Sequence, residues 1–262
     1  MNTHEWQPCS IDTGDLNLAG DALQQQWDTL HLGTPEAFSQ NIAVQDSWRH
    51  YHLGEFAQAC EKGLAAGGAG VVPAAFAATI YAQYLEQDDK RRASLFKQVM
   101  KLCEEAEDAG VVSANLHYIH AVAMGRYSQS ISIIEALAQG FGGRMKEQLQ
   151  KCLKLAPKHP EGHATFAGWH AGISDQAGAL MGRMLYGATQ DEAHKHYELG
   201  VAHAPQAVVP RIEFARGLEV MYGEKEADVR VHLNHALQLT AVDAMQRLDQ
   251  QAAREHLARL PA

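Results

Sequence analysis

The chain has 262 residues, 46% of them hydrophobic, enough for one large or two modest domains with a sizeable core. Acidic residues outnumber basic ones by 31 to 22, a formal net charge of −9, so the cationic surface that phosphate contacts require is short and a nucleic-acid partner is disfavoured. No run approaches 18 apolar residues, which argues against membrane insertion, and four cysteines without a C-x-x-C pair fit reduced thiols better than a disulfide framework.

Residues 1–17 read as an irregular segment. "MNTHEWQPCSIDTGD" has neither the apolar stretch of a signal peptide nor the one that precedes a lipoprotein cysteine, so a cytoplasmic location is expected. Beyond it, Ala, Leu, Gln, Glu and Lys dominate and period-2 alternation is rare, which predicts an all-α chain of about a dozen helices. Breakers separate the helical stretches: "LGTPEA", "AAGGAGVVP", "EQDDK", "DAGVVS", "QGFGG", "APKHP", "LYGAT", "HAPQAVVP" and "MYGEK".

Residues 18–110 carry a weak repeat. Leu23, Trp27, Leu30 and Pro35 outline a half-repeat, and Gly54, Phe56 and Ala59 in "LGEFAQA" mark a turn between two helices. Residues 111–242 carry it better. Ala193, Tyr197, Gly200 and Pro205 place a small residue, a bulky one four later, a small one three later and proline five later. Met145, Leu149, Cys152 and Pro157 follow that spacing with substitutions, and Val229, Leu233 and Ala236 follow it without the proline. Small residues let neighbouring helices approach, and the bulky one fills the gap between them. Two inserts interrupt the repeat, at 174–187 and in "RYSQSISIIEALAQGFG". The pairs Phe141-Gly142, Tyr186-Gly187 and Tyr222-Gly223 precede second helices, each glycine expected to supply the turn. Residues 243–260 read as a capping helix, with Ala244, Met245, Leu248, Ala252 and Leu257 on one face.

This layout resembles the tetratricopeptide repeat, a helix–turn–helix of about 34 residues. "GRMKEQLQKCLKLAPKHPEGHATFAGWHAG" followed by "LMGRMLYGATQDEAHKHYELGVAHAP" is similar to a divergent tetratricopeptide group that includes the eukaryotic regulators of microtubule dynamics. It is more loosely similar to the T-component of TRAP transporters, typically a lipoprotein, whereas a lipobox is missing from this sequence. The resemblance implies a tetratricopeptide-like helical-hairpin solenoid over residues 1–262, a single domain with insert helices and a C-terminal capping helix. It implies a non-catalytic scaffold that binds a protein or peptide in its concave groove. The alternatives are a small-ligand-binding module closed by the inserts and, more weakly, a metal-dependent enzyme.

Fifteen histidines are the unusual feature of the composition. Three fall in "DEAHKHYELGVAHAP" (191–205). At 100° per residue, His194 and His196 point about 200° apart, and His196 and His203 stand roughly 10 Å apart along one face, too far for a single ion. With Ala193, Tyr197 and Gly200 in the packing slots, these histidines are expected at solvent or at helix edges. His117 with His120, and His232 with His235, are spaced to share a face, but no carboxylate or cysteine nearby in sequence completes a ligand set. Partly buried, hydrogen-bonded imidazoles are expected there. Neither a nucleophile elbow, a P-loop nor a dinucleotide fingerprint occurs, and "AAGGAGVV" (65–72) reads as an inter-helix loop. No catalytic residue, metal or cofactor is therefore expected.

The candidate binding residues lie where first helices would line a groove. Glu161, Thr165, Gly168, Trp169 and Gly172 fall on one such face, and Val209, Ile212, Glu213, Arg216 and Glu219 on the next. Trp169, His170, His163, Arg183, Glu213 and Arg216 are the residues singled out, with Trp169 as plain packing the alternative. The slots of the carboxylate clamp used by chaperone-tail receptors hold Glu161, Thr165, Ile212 and Glu213, which disfavours that role. The insert at 174–187 should bury Leu180, Met181, Met184 and Leu185 beside Trp169 and turn Arg183 toward Glu213 or an anionic ligand. An insert on the convex side with Arg183 in solvent is the alternative. The partner expected is an unidentified protein or peptide, with a homodimer left open.

Overall fold

Helix is what this sequence can build cheaply, since its segments are rich in Ala, Leu, Glu and Gln and are punctuated by residues that cap and stop helices. The computed structural model describes residues 1–223 and 227–261, and every regular element among them is helical. Glu224 and Lys225 of the last breaker, and Ala262, lie outside the described residues. The chain divides into two compact units: Met1–His31 with Pro35–Phe141 and Val242–Met245, and Leu32–Thr34 with Gly142–Ala241 and the chain from Gln246 onward.

The first unit holds α1 (Ala22–Gln25), α2 (Trp27–Leu30), α3 (Ile42–His52), α4 (Phe56–Ala66), a 3-10 turn at Gly68–Gly70, α5 (Val71–Tyr84), α6 (Asp89–Asp108), α7 (Ala114–Ser128) and α8 (Ile133–Ala138). Side chains of Asn41, Asp88, Ser113 and Ser132 accept from backbone amides at the starts of α3, α6, α7 and α8, satisfying donors that have no partner within the helix. Gly54 takes φ +78° between α3 and α4, the turn expected of "LGEFAQA". Successive helices from α3 to α7 pack on one another, and α5 also touches α3 and α7. As a result α5 is buried from Val72 to Ala82 without a break. The "GGAG" loop is drawn tight: a Cβ at Gly63 would press on the carbonyl of Gly70 and stand 2.9 Å from Ala74.

The second unit holds α9 (Phe141–Leu155, Phe141 itself grouping with the first unit), α10 (Pro160–Gln176), α11 (Ala179–Tyr186), α12 (Gln190–His203), α13 (Val208–Tyr222), α14 (Ala227–Gln238) and most of α15 (Ala244–Arg259). Here α10 is central and packs on α11, α12 and α13, while α13 packs on α12 and α14. Ala193 and Tyr197 are 0% and 1% exposed, and Val229, Leu233 and Ala236 are fully buried, as the small–bulky–small spacing predicts. Gly187 and Gly223 take positive φ, as expected of two of the aromatic-glycine pairs. At the third the turn falls one residue earlier, on Gly140 at φ +65°, and Phe141 already begins α9. The segment read as a cap forms α15; of its expected face Ala244, Met245 and Leu248 are buried, Ala252 and Leu257 are half-buried, and Ala253 is buried beside them. No helix among the described residues is long and apolar enough to cross a membrane.

Candidate functional site

The polar interior of the second unit is built on α10. His159 caps it, its Nδ1 accepting from the Gly162 amide at 2.8 Å, and Pro160 occupies the first turn, where a missing N–H costs nothing. Gly162, Ala164, Ala167 and Ala171 keep its surface low, so neighbours come close. A Cβ at Gly200 of α12 would stand 2.9 Å from the Pro160 carbonyl, and one at Gly217 of α13 would run into the Tyr197 ring. Tyr197 stacks on Phe214 at 5.0 Å between centroids.

His163, His170 and His196 meet across this seam. His163 Nε2 lies 3.0 Å from the Pro157 carbonyl, and its Nδ1 lies 2.8 Å from His196 Nδ1. A carbonyl can only accept, so neutral His163 is protonated on Nε2 and His196 donates through Nδ1. The His196 ring also lies over His170, 5.8 Å between centroids and 17° between planes, and against Phe166 at 4.8 Å. His203 adds a fourth imidazole, 5.4 Å from His163. Burial holds His170 and His196 down at about 4 and His159 at about 3, with the His163 charge lowering His159 and His196 further.

Of the two positions expected for His196, solvent or helix edge, it takes the edge, half-buried against α10. Three packing positions had implied a narrow buried stripe, whereas α12 is held from two sides. His196 and His203 face α10, and His194 lies against Phe214 of α13 at 5.4 Å. The signal was in the sequence, because His163 sits four residues before Ala167 on the face that α12 covers. The cluster is a hydrogen-bonded one by its geometry. Two nitrogens sharing a tetrahedral zinc at about 2.0–2.1 Å would sit about 3.3 Å apart. No group of three or more His, Cys, Asp or Glu among the described residues has the arrangement to hold a metal.

Trp169 is 4% exposed, and its indole Nε1 donates to the Gly142 carbonyl at 2.8 Å. Its edge meets His170 at 4.8 Å and Tyr186 of the insert at 6.4 Å, and Lys146 Nζ stands 5.5 Å over its ring. Trp169 therefore packs, as do His163 and His170, which are 6% and 5% exposed. Glu161 is buried and faces Gly33, whose carbonyl accepts from the Glu161 amide at 3.1 Å, so residues 32–34 cover that end of the face. The insert does form a helix beside Trp169, α11, but its apolar side chains are exposed rather than buried. Arg183 is exposed, and Glu213 pairs with Arg216 at 2.6 Å.

An open cleft of about 400 Å³ does exist, between α13 and α15. Arg216, Glu219, Glu255, His256 and Arg259 line it over the apolar floor of Ala252 and Leu260. His256 Nε2 lies 2.9 Å from Glu219 Oε2, so this pair and Arg216–Glu213 fix the near wall, while Glu255 and Arg259 are exposed at the rim. Sequence reasoning found Arg216 and Glu219 but missed the α15 wall. Its signal is the spacing of Ala252, Glu255, His256 and Arg259 at three and four, which puts them on one helical face.

The first unit has polar clusters of its own. His52 and Asp243, 1% and 2% exposed, pair at 2.8 Å, and His52 Nε2 stands 3.3 Å from His31 Nε2 in a surround of Trp27 and Trp48. His117 and His120 do have carboxylates beside them, which the sequence reading had not placed: Glu107 and Glu104 of α6, each 3.8 Å away across an antiparallel helix pair. In the second unit, His232 is half-buried on Phe214 at 4.2 Å, whereas His235 is exposed.

No protein-family model matches the chain, and no curated protein matches its sequence.

Proposed function

We propose that the chain is a non-catalytic scaffold of the tetratricopeptide type that takes an acidic peptide in the cleft between α13 and α15. The observation that carries this reading is the cleft itself: open, sized for a few side chains, with two guanidiniums, Arg216 and Arg259, set over an apolar floor. Guanidiniums bind carboxylates through paired, charge-assisted hydrogen bonds. Glu219 and Glu255 on the same walls disfavour a polyanion and favour a ligand that alternates a carboxylate with polar or apolar groups. An open cleft also favours a peptide over an enclosed small molecule.

The solenoid reading draws support from the order of packing. Within each unit the first helix of one hairpin touches its own partner and the first helix of the next: α5 meets α3 and α7, and α10 meets α12 and α13. The small–bulky–small slots are filled, and all but Met145 of those in residues 111–242 are buried. A cytoplasmic setting fits the thiols. Cys60 and Cys152 are buried and pushed up to about 12, and Cys103 is pushed higher still, so none is poised to react.

The test is a peptide array probed with the full chain, comparing acidic peptides with neutral ones of the same shape. Wild type should retain the acidic set, and Arg259→Ala should weaken it about tenfold or more, the worth of one charge-assisted hydrogen bond. Equal retention of acidic and neutral peptides, or an Arg259→Ala chain that binds like wild type, contradicts the reading.

A further inference from the structure

The insert helices present apolar side chains to solvent, one in each unit. On α11 of the second unit, Leu180, Met181, Met184 and Leu185 are 70%, 47%, 71% and 64% exposed. Gly182 and Tyr186 face the other way. A Cβ at Gly182 would stand 3.3 Å from the Ile173 carbonyl, and Tyr186 meets Trp169. Leu180–Met184 and Met181–Leu185 form two parallel rows spaced by four, with a groove between them that suits a ridge of another helix. Methionine lets such a surface adapt to what it covers. Arg183 is the only charged residue between Gln176 and Gln190 and lies exposed at the flank of these rows.

On α8 of the first unit, Ile134 and Leu137 are 81% and 59% exposed, three residues apart on one face. Glu135 is the only charged residue between Tyr127 and Gly143, and it too is exposed at the flank, its carboxylate steadied by Gln139 Nε2 at 3.0 Å and facing Lys97 of α6. Each of these surfaces is a property of its own unit. One offers a groove with a cation beside it, the other a short aliphatic ridge with an anion beside it.

We propose that α8 of one copy docks on α11 of a second copy, with Ile134 and Leu137 seated between the two rows and Glu135 meeting Arg183. Complementarity of both shape and sign selects this occupant. A bilayer is the poorer fit, because surface binding by a helix this short needs clustered cations, and here a single arginine serves a chain of net charge −9. The proposal does not rest on the peptide cleft, and Arg259→Ala should leave it untouched.

Sedimentation velocity of the full chain over a concentration series tests it. The expected result is reversible formation of a species heavier than the 28.7 kDa monomer. Leu180→Glu with Met184→Glu should abolish it, with an unchanged circular dichroism spectrum because both positions are exposed. Arg183→Glu alone and Glu135→Arg alone should each weaken association about tenfold, and the two together should restore it, since opposite charges face each other again. A chain that stays monomeric throughout overturns the proposal. So does association that survives the paired glutamates, a charge swap that brings no rescue, loss on changing α11 but not α8, or a monomer that cosediments with anionic vesicles.

Discussion

Helices α5 and α10 hold comparable places in their own units, and they fill them in opposite ways. Each has proline in its first turns, packs on several neighbours and buries most of its residues. From Val72 to Ala82, α5 offers apolar side chains apart from Thr79, whose hydroxyl donates back to the Ala75 carbonyl at 2.8 Å, and Tyr81, whose hydroxyl accepts from the Gln7 amide at 3.1 Å. Buried positions on α10 include Glu161, His163, His170 and Ser174. The place therefore demands small volume and close approach, which alanine supplies in both helices and glycine adds in α10, but not apolarity. Polar side chains are tolerated where backbone groups and neighbouring rings receive them, as the Pro157 carbonyl and Thr189 amide do for His163 and His170. The consequence is that α5 itself carries no imidazole or carboxylate between Val72 and Ala82, whereas α10 carries buried ones.

The largest effect should come from the apolar member of the pair. Phe76 of α5 is 2% exposed and meets Trp48, Tyr51 and Tyr118 within 5.8 Å. Phe76→Ala should cost about 3–5 kcal/mol in denaturant unfolding. A cost under about 1 kcal/mol would deny α5 its central place. Next comes Gly200→Leu, which drives a side chain into the Pro160 carbonyl and should cost about 1–3 kcal/mol or more. An unchanged melting temperature would mean that α12 does not approach α10 as described.

A third prediction separates α10 and α12 from α5 by pH. His159, His170 and His196 are held below their ordinary value of 6.5, so the folded state binds fewer protons than the unfolded one. Their contribution is present above pH 6.5 and is lost as pH falls from there toward about 4. Amide hydrogen exchange followed from pH 7 to pH 5 should show protection falling in α10 and α12 before α5. His196→Gln should flatten that fall. Equal loss in α5, α10 and α12 would erase the distinction. The smallest effect is expected at the solvent-facing insert, where Met184→Ala should change monomer stability by no more than about 0.5 kcal/mol.

What the sequence made legible was whatever repeats along one helix. Ala193, Tyr197 and Gly200 announced their burial through spacing alone, and the order of breakers located most helices. What it hid depends on a second helix. His196 could not be placed without His163, nor His120 without Glu104, because spacing along one strand of sequence says nothing of what faces it. The α11 side chains misled for a related reason: an apolar face asks for cover, but that cover need not come from within the chain. Trp169 was legible as large and amphipathic, and its role was decided only by the Gly142 carbonyl waiting for its indole. In the cleft, Arg216 and Glu219 could be read from α13, whereas Glu255, His256 and Arg259 needed α15 to be brought alongside.

The central claim is that the α13–α15 cleft is the place where this chain binds. Amide hydrogen exchange with and without an acidic peptide selected on the array tests it most directly. Added protection should concentrate at residues 212–222 and 252–260, vanish in Arg259→Ala, and leave α5 unchanged. Protection that falls on other helices while these two stay as they were would contradict it.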